Sequence, residues 1–405
     1  MIVIIGAGPA GIMAAINAAS NRDEVVLIEK NEYLGRKLLL TGGGRCNLTN
    51  TCKSEDLTHH FSKTGSFLRD AFKAFNNEDL ISFFADRGLM IKVEENGRVF
   101  PVTDKASSVL NVLDAELKKL KVEVLVKTSV KKINVLQGAV KGVLCEDGTM
   151  FTADKVIIAT GGLSYKVTGS TGDGMKLAEK LGHRIVPLRP GLVALALAST
   201  IPKRLEGVSL NDVKLIFRTG KKKISSEKGS VIFTKHGISG PATLSLSSQV
   251  VDWINEGKKV SLEIDMMPML DLNETEMTLA RKMPKSGEKS LKNILREFVP
   301  IRVSEIFLEL AKIPQRKKAN QLTLKERRSV AILLKGLKFD VANSVSLKKA
   351  QITRGGVSTK DMNPKTMESK KIKGLYFAGE MIDIDGDCGG FNLQAAFSTG
   401  YLAGR

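Results

Sequence analysis

The chain is sparing with the residues that staple, ligate or stiffen a fold. Its 405 residues include four cysteines, four histidines, one tryptophan and 11 prolines. Cys46, Cys52, Cys145 and Cys388 are too few and too scattered for a secreted disulfide framework. The opening apolar run, Ile2–Ile5, is far too short to span a bilayer, and it lacks the basic flank and cleavage site of a signal peptide. A cytoplasmic protein without a membrane partner is therefore expected. No internal repeat or low-complexity segment is present. The net charge is +19, yet the lysines are spread along the chain in short clusters such as Lys221-Lys222-Lys223 and Lys370-Lys371. No long basic run and no nucleic-acid motif accompanies them. The pattern reads as a solvated surface, so the expected partner is a small molecule and not a nucleic acid. A positive field would still steer anionic ligands inward.

What is present is ordinary in bulk: 42% hydrophobic and 26% charged residues, on a chain long enough for two or three domains. The information lies at the start. Ile2–Ile5 and residues 25–29 read as buried parallel strands, and residues 9–20 between them as a helix. The turn Gly6-Ala7-Gly8-Pro9-Ala10-Gly11 is a GxGxxG fingerprint, and Glu29 closes the second strand. Gly6 permits the tight turn, Gly8 lets a pyrophosphate approach the backbone, and Gly11 lets helix and strand pack. The helix N-terminus offers N–H groups and partial positive charge to phosphates. Glu29 would accept hydrogen bonds from ribose hydroxyls and disfavour a 2′-phosphate.

Later segments separate FAD from NAD. Residues 153–162, ending Ala159-Thr160-Gly161-Gly162, resemble the middle motif of flavoproteins with two dinucleotide-binding domains. Gly374 to Glu380 resembles their C-terminal motif, with Glu380 in place of the commoner aspartate. The stretch Arg36 to Asn50, containing Thr41-Gly42-Gly43-Gly44-Arg45-Cys46-Asn47, is more specific. With 169–174, 233–241 and Gly389-Gly390-Phe391-Asn392-Leu393-Gln394, it resembles the BaiN-like (YhiN-type) flavoproteins, also labelled aminoacetone oxidase family FAD-binding enzymes. The resemblance implies an α/β architecture: a Rossmann-type, glutathione-reductase-like FAD domain with an inserted β-rich domain and a small helical domain. The expected division is 1–189 with 346–405 for FAD, 190–270 for the β-rich insert and 271–345 for its helical part.

The motifs and the resemblance together assign cofactor contacts to Gly6, Gly8, Pro9, Ala10, Gly11, Glu29, Lys30, Arg36, Lys37, Thr41, Gly43, Gly44, Arg45, Cys46, Asn47, Val130, Thr160, Gly161, Gly162, Gly379, Glu380, Gly390, Phe391, Asn392 and Leu393. Arg36, Lys37 and Arg45 would offset pyrophosphate charge. Asn47 would hydrogen-bond the flavin edge, and the helix starting at 389–392 would face N1 and O2.

Further absences bound the chemistry. Cys46 and Cys52 do not have the CxxxxC spacing of a redox disulfide, and no metal spacing occurs. No second strand–GxGxxG–helix unit appears between 160 and 345, so NAD(P)H would act as a transient reductant at the flavin itself. Among His59, His60, His183 and His236, the last, in a Gly-rich turn, is the candidate base. The expected activity is FAD-dependent hydride transfer between a small organic substrate and flavin N5; the family resemblance implies either an NAD(P)H-linked reductase or an amine oxidase. An FAD-containing RNA-modifying protein is the alternative, motivated by the charge.

Overall fold

The computed structural model describes residues 1–62, 64–283, 289–342 and 350–405. The chain divides into two compact units, Met1–Gly191 with Ala350–Arg405, and Leu192–Lys349. The boundary expected at 345/346 lies outside the described residues.

The first unit is built on an all-parallel sheet of five strands. Their order is Leu375–Phe377, Lys155–Ile158, Ile2–Ile5, Val25–Ile28, Glu123–Leu125. Ile2–Ile5 and Val25–Ile28 are buried throughout, which explains why they read as unbroken apolar runs without alternation. Helix Pro9–Ser20 connects them. The final helix, Phe391–Ala403, lies against it at very short range. A Cβ on Gly400 would fall 2.1 Å from the Ala10 carbonyl oxygen, and one on Gly404 would fall 2.4 Å from that of Ala14. Strands Val130–Leu136, Ala139–Cys145 and Met150–Thr152 form an antiparallel meander.

The apolar periodicity over 65–87 predicts one helix, but the structure has two, Arg69–Ala74 and Asn77–Ala85. Asn76 is the cause. Its side chain accepts from the N–H groups of Glu78 and Asp79, and Asp79 returns a bond to the Asn76 N–H. That capping box starts a new helix where the hydrophobic pattern alone shows continuity.

In the second unit the strands pair antiparallel, with Ser209–Thr219 central between Gly229–Thr234 and Ser261–Asp265. Helices Leu272–Lys282, Ile301–Leu310 and Leu324–Lys335 share one core with them, including Phe217, Ile264, Phe307 and Leu334. The stretch expected to be helical, 271–345, also supplies strand Leu337–Asp340, which pairs with Ser261–Asp265. No helix among the described residues is long and apolar enough to cross a membrane.

Candidate dinucleotide site

The three fingerprint glycines are required for different reasons. Gly6 has φ 101°, and a Cβ there would sit 2.7 Å from the Ala159 carbonyl oxygen. At Gly11 a Cβ would meet the Gly6 carbonyl oxygen at 1.8 Å. Gly8, by contrast, caps the helix at φ −82°, and a Cβ there would touch nothing within 4 Å. The fold leaves open space above Gly8, beside helix-start N–H groups with no side-chain cap. Pro9 at the first helical position has no N–H to leave unpaired.

Glu29 is buried at the end of its strand. One carboxylate oxygen accepts from the Ala7 N–H at 2.9 Å, and the other from the backbone N–H and side-chain amide of Asn31 at 2.8 and 2.6 Å. These bonds fix the carboxylate against the fingerprint turn, with one acceptor site, on Oε2, left for a hydroxyl donor. Arg36 donates to the Asn31 side chain at 2.9 Å, and Lys30 pairs with Asp173 and Thr171.

Lys37 and Glu380 meet across the chain. The ammonium lies 2.6 and 2.8 Å from the two carboxylate oxygens and 2.7 Å from Ser164 Oγ. Glu380 also accepts from the Thr353 N–H at 2.8 Å. A Cβ on Gly161 would lie 3.8 Å from Glu380 Oε2, and one on Gly162 would lie 2.4 Å from Thr353 Oγ1. Gly379, at φ 75°, sits 2.8 Å (as a would-be Cβ) from Ala10 Cβ. The first, middle and last motifs therefore converge. Lys37, expected at the pyrophosphate, is ion-paired with Glu380, the acid of the C-terminal motif. Ser164 and Thr353 were not legible in the sequence, because single hydroxyls in unremarkable context acquire a role only through contacts nearly two hundred residues away.

The glycine loop 41–47 carries left-handed backbone at Gly42, Gly43, Gly44 and Cys46. A Cβ on Gly43 would meet nothing within 4 Å, so this loop too borders open space. Thr41 Oγ1 donates to the Leu38 carbonyl at 2.6 Å. Arg45 turns to Glu94 and Asp104, at 2.7 and 3.3 Å, and stacks 4.0 Å over Phe100. Its charge is thus already matched by carboxylates. Burial pushes the Cys46 thiol up to about 12, which makes it a poor nucleophile. All four cysteines are free.

Two assigned residues hold unpaired buried oxygens, Asn47 Oδ1 and Thr160 Oγ1. A buried acceptor left without a donor costs about 1–3 kcal/mol. Both atoms are suited to receive a ligand's N–H or O–H. With the open ground at Gly8 and Gly43 and the fixed Glu29 carboxylate, the residues present fit a dinucleotide. Val130 is half-buried, in the meander that follows the Thr128 N–H bond to the Glu29 carbonyl.

The final helix begins at Gly390, whose φ is 103° and whose would-be Cβ lies 2.3 Å from the Thr49 carbonyl oxygen. Asn392 folds back to accept from the Gly386 N–H at 2.9 Å and donate to its carbonyl at 2.8 Å. Phe391 is buried, Leu393 half-buried, and Gln394 accepts from Thr49 Oγ1 at 2.7 Å. His236 lies exposed in a turn of the second unit. No metal-binding group occurs among the described residues.

A parallel sheet carrying this fingerprint defines a dinucleotide-dependent flavoprotein fold. Residues 1–405 match the HI0933-like protein Rossmann domain, and the chain belongs to that family of FAD-dependent oxidoreductases. It is 35% identical to the 3-dehydro-bile acid delta(4,6)-reductase of Clostridium scindens, over 100% of this chain and 98% of that protein. It is 32% identical to the ribosomal RNA dihydrouridine synthase of Haemophilus influenzae, over 98% and 96%. Its fold resembles that of 3-ketosteroid delta1-dehydrogenase from Sterolibacterium denitrificans, with TM-score 0.53, 12% identity, and coverage of 100% of this chain and 98% of that one.

Proposed function

We propose that the protein reduces a carbon–carbon double bond conjugated to a carbonyl, using NADH or NADPH as reductant. The observation that carries this reading is the full-length match to a delta(4,6)-reductase acting on a 3-dehydro bile acid, a conjugated ketone by its name. The dihydrouridine synthase relative saturates a double bond of the same electronic type, that of uracil. Bound FAD supplies the hydride. The chain's residues hold and orient it. Glu29 receives an adenosine ribose hydroxyl, the turn at Gly8 receives the phosphates, and the Lys37–Glu380 pair faces the ribityl chain. Asn47 and Thr160 satisfy their buried oxygens on cofactor donors.

The test is anaerobic. NADH or NADPH bleaches the yellow protein, and an α,β-unsaturated ketone then restores its colour with formation of the saturated ketone. Bleaching by amines, with no recolouring by any enone, would replace this reading with an amine oxidase. The net charge of +19 favours a second reading, in which the double bond belongs to a uracil in RNA. Dihydrouridine formed in uridine-containing RNA by the reduced protein, with steep loss of binding in salt, distinguishes it.

A further inference from the structure

We propose that His60, oriented by Asp387 and stacked on Phe391, delivers the proton that completes saturation of the double bond. The proposal rests on the reductase reading above. The segment carrying His60 is joined to the loop before the final helix along its length. The Asp387 N–H donates to the His60 carbonyl at 2.8 Å, and the Ser62 N–H to that of Asp385 at 2.9 Å. Ser62 Oγ donates to Asp385 Oδ1 at 2.8 Å, and Thr64 Oγ1 to the Asp383 carbonyl at 2.7 Å. On this fixed backbone the His60 ring lies 3.9 Å from the Phe391 ring, tilted by 13°. Its Nδ1 is 3.4 Å from Asp387 Oδ2.

A carboxylate beside Nδ1 favours the proton there and leaves Nε2 as the exchanging nitrogen. The His60 side chain is 35% exposed, open enough to recover a proton from water. The other three histidines lack this combination. Both ring nitrogens of His183 are engaged and buried, His59 is 77% exposed beside Asp56, and His236 sits in an exposed turn of the other unit.

Placement makes the pair relevant. Phe391 opens the final helix, Gly390 presses on Thr49, and Asn50 donates to the Gly389 carbonyl at 3.3 Å. His60 thus stacks on Phe391, one of the expected flavin contacts, at the start of the helix whose preceding glycines meet Thr49 and Asn50. Among the described residues, the loop that carries Asp387 also carries Asp383 and Asp385, the latter paired with Arg354 at 3.3 Å, and Cys388, which lies near Arg98.

Saturation of the double bond requires two electrons and two hydrogens. The hydride, drawn from NAD(P)H, goes to the carbon β to the carbonyl. The C=C π pair moves onto the α carbon and takes the Nε2 proton of the His60 imidazolium. Neutral His60 then regains a proton from solvent.

Two variants of the FAD-loaded protein, His60→Gln and Asp387→Asn, test this. Visible absorbance first establishes that each retains FAD. Nitrogen-15 spectra of histidine-labelled protein, with the His60 signal assigned by its loss in His60→Gln, should show the Nδ1–H tautomer in neutral His60. Asp387→Asn should weaken that preference. Anaerobically reduced protein is then mixed with cyclohex-2-enone. Recolouring should slow about 10²-fold in His60→Gln and less in Asp387→Asn, a slowing confined to this half of the cycle. Recolouring at the wild-type rate, or an equal slowing of bleaching by NAD(P)H, overturns the role of His60 alone. Wild-type protein inert to enones overturns the reductase reading and this proposal with it. Should His60→Gln lose FAD, an Asp387→Asn protein with unchanged tautomer and unchanged rate overturns the proposal.

Discussion

Gly8 and Gly11 share one turn and obey different constraints. Gly11 is demanded by the fold, since any side chain there collides with the Gly6 carbonyl. Gly8 borders open space, so its lack of a side chain matters to a ligand and hardly to the chain. Gly8→Val should therefore leave the melting temperature of the cofactor-free protein nearly unchanged while weakening FAD binding at least about tenfold, or ~1.4 kcal/mol. Gly11→Ala should lower both. Melting curves with and without FAD, beside visible absorbance, separate the two. His183 offers a second test. Ser369 Oγ accepts from the N–H groups of Lys371 and Ile372, both at 3.0 Å, so its own hydroxyl proton goes to His183 Nε2 at 2.7 Å. Nδ1–H must then donate to the Ala178 carbonyl at 3.1 Å, and the ring is neutral. Burial holds its pKa below the usual 6.5. Below that pH the unfolded chain binds a proton that the folded chain refuses, so stability falls as pH drops, by at most ~1.4 kcal/mol per unit. Denaturant titrations at pH 7.5 and 5.5 should show this loss, and His183→Asn, though less stable, should flatten it.

Among the elements, the first and last helices decide whether the cofactor turn holds its shape. Gly400 and Gly404 let the two backbones meet at Ala10 and Ala14, and Gly379 presses on Ala10 from the sheet. Gly400→Ala puts a methyl 2.1 Å from a carbonyl oxygen. It should destabilise the fold by about 1–3 kcal/mol and weaken FAD binding, because the displaced residue lies in the turn proposed to receive the phosphates. A paired measurement of melting temperature and FAD affinity checks this. The contact also marks where sequence reading stopped. The opening strand, turn and helix were legible because each depends on neighbours within one βαβ unit. Helix 9–20 was legible from its apolar face, and a helix over 105–121 likewise, observed as Ala106–Lys119. The Gly400–Ala10 seam was not, since two small residues at opposite ends of the chain give no local signal. The partners of Lys37 and Arg45 were missed for the same reason. A cation in a Gly-rich segment reads as a phosphate ligand until the fold brings Glu380 or Glu94 to it. His60 was visible as one histidine among four, and only the return of 385–387 singles it out.

For the whole molecule the dominant quantity is charge, 62 basic against 43 acidic residues. Several of the basic groups on the proposed cofactor side are already matched, Lys37 by Glu380, Arg45 by Glu94, and Lys30 by Asp173. The excess therefore acts as a diffuse field and not as a set of direct contacts. Such a field raises encounter rates with anions and is screened beyond a Debye length of ~10 Å at 0.1 M salt. NADPH is strongly anionic and cyclohex-2-enone is neutral, which makes the field separable from the chemistry. Raising salt from about 0.02 to about 0.3 M should lower the second-order rate constant for bleaching by NADPH several-fold. The limiting bleaching rate at saturating NADPH should not move, and neither should recolouring by the neutral enone. If both half-reactions fell together, salt would be acting on the fold or on FAD retention. If neither fell, the excess charge would have no part in capturing the reductant, and the case for a polyanionic substrate would lose its only physical support in the sequence.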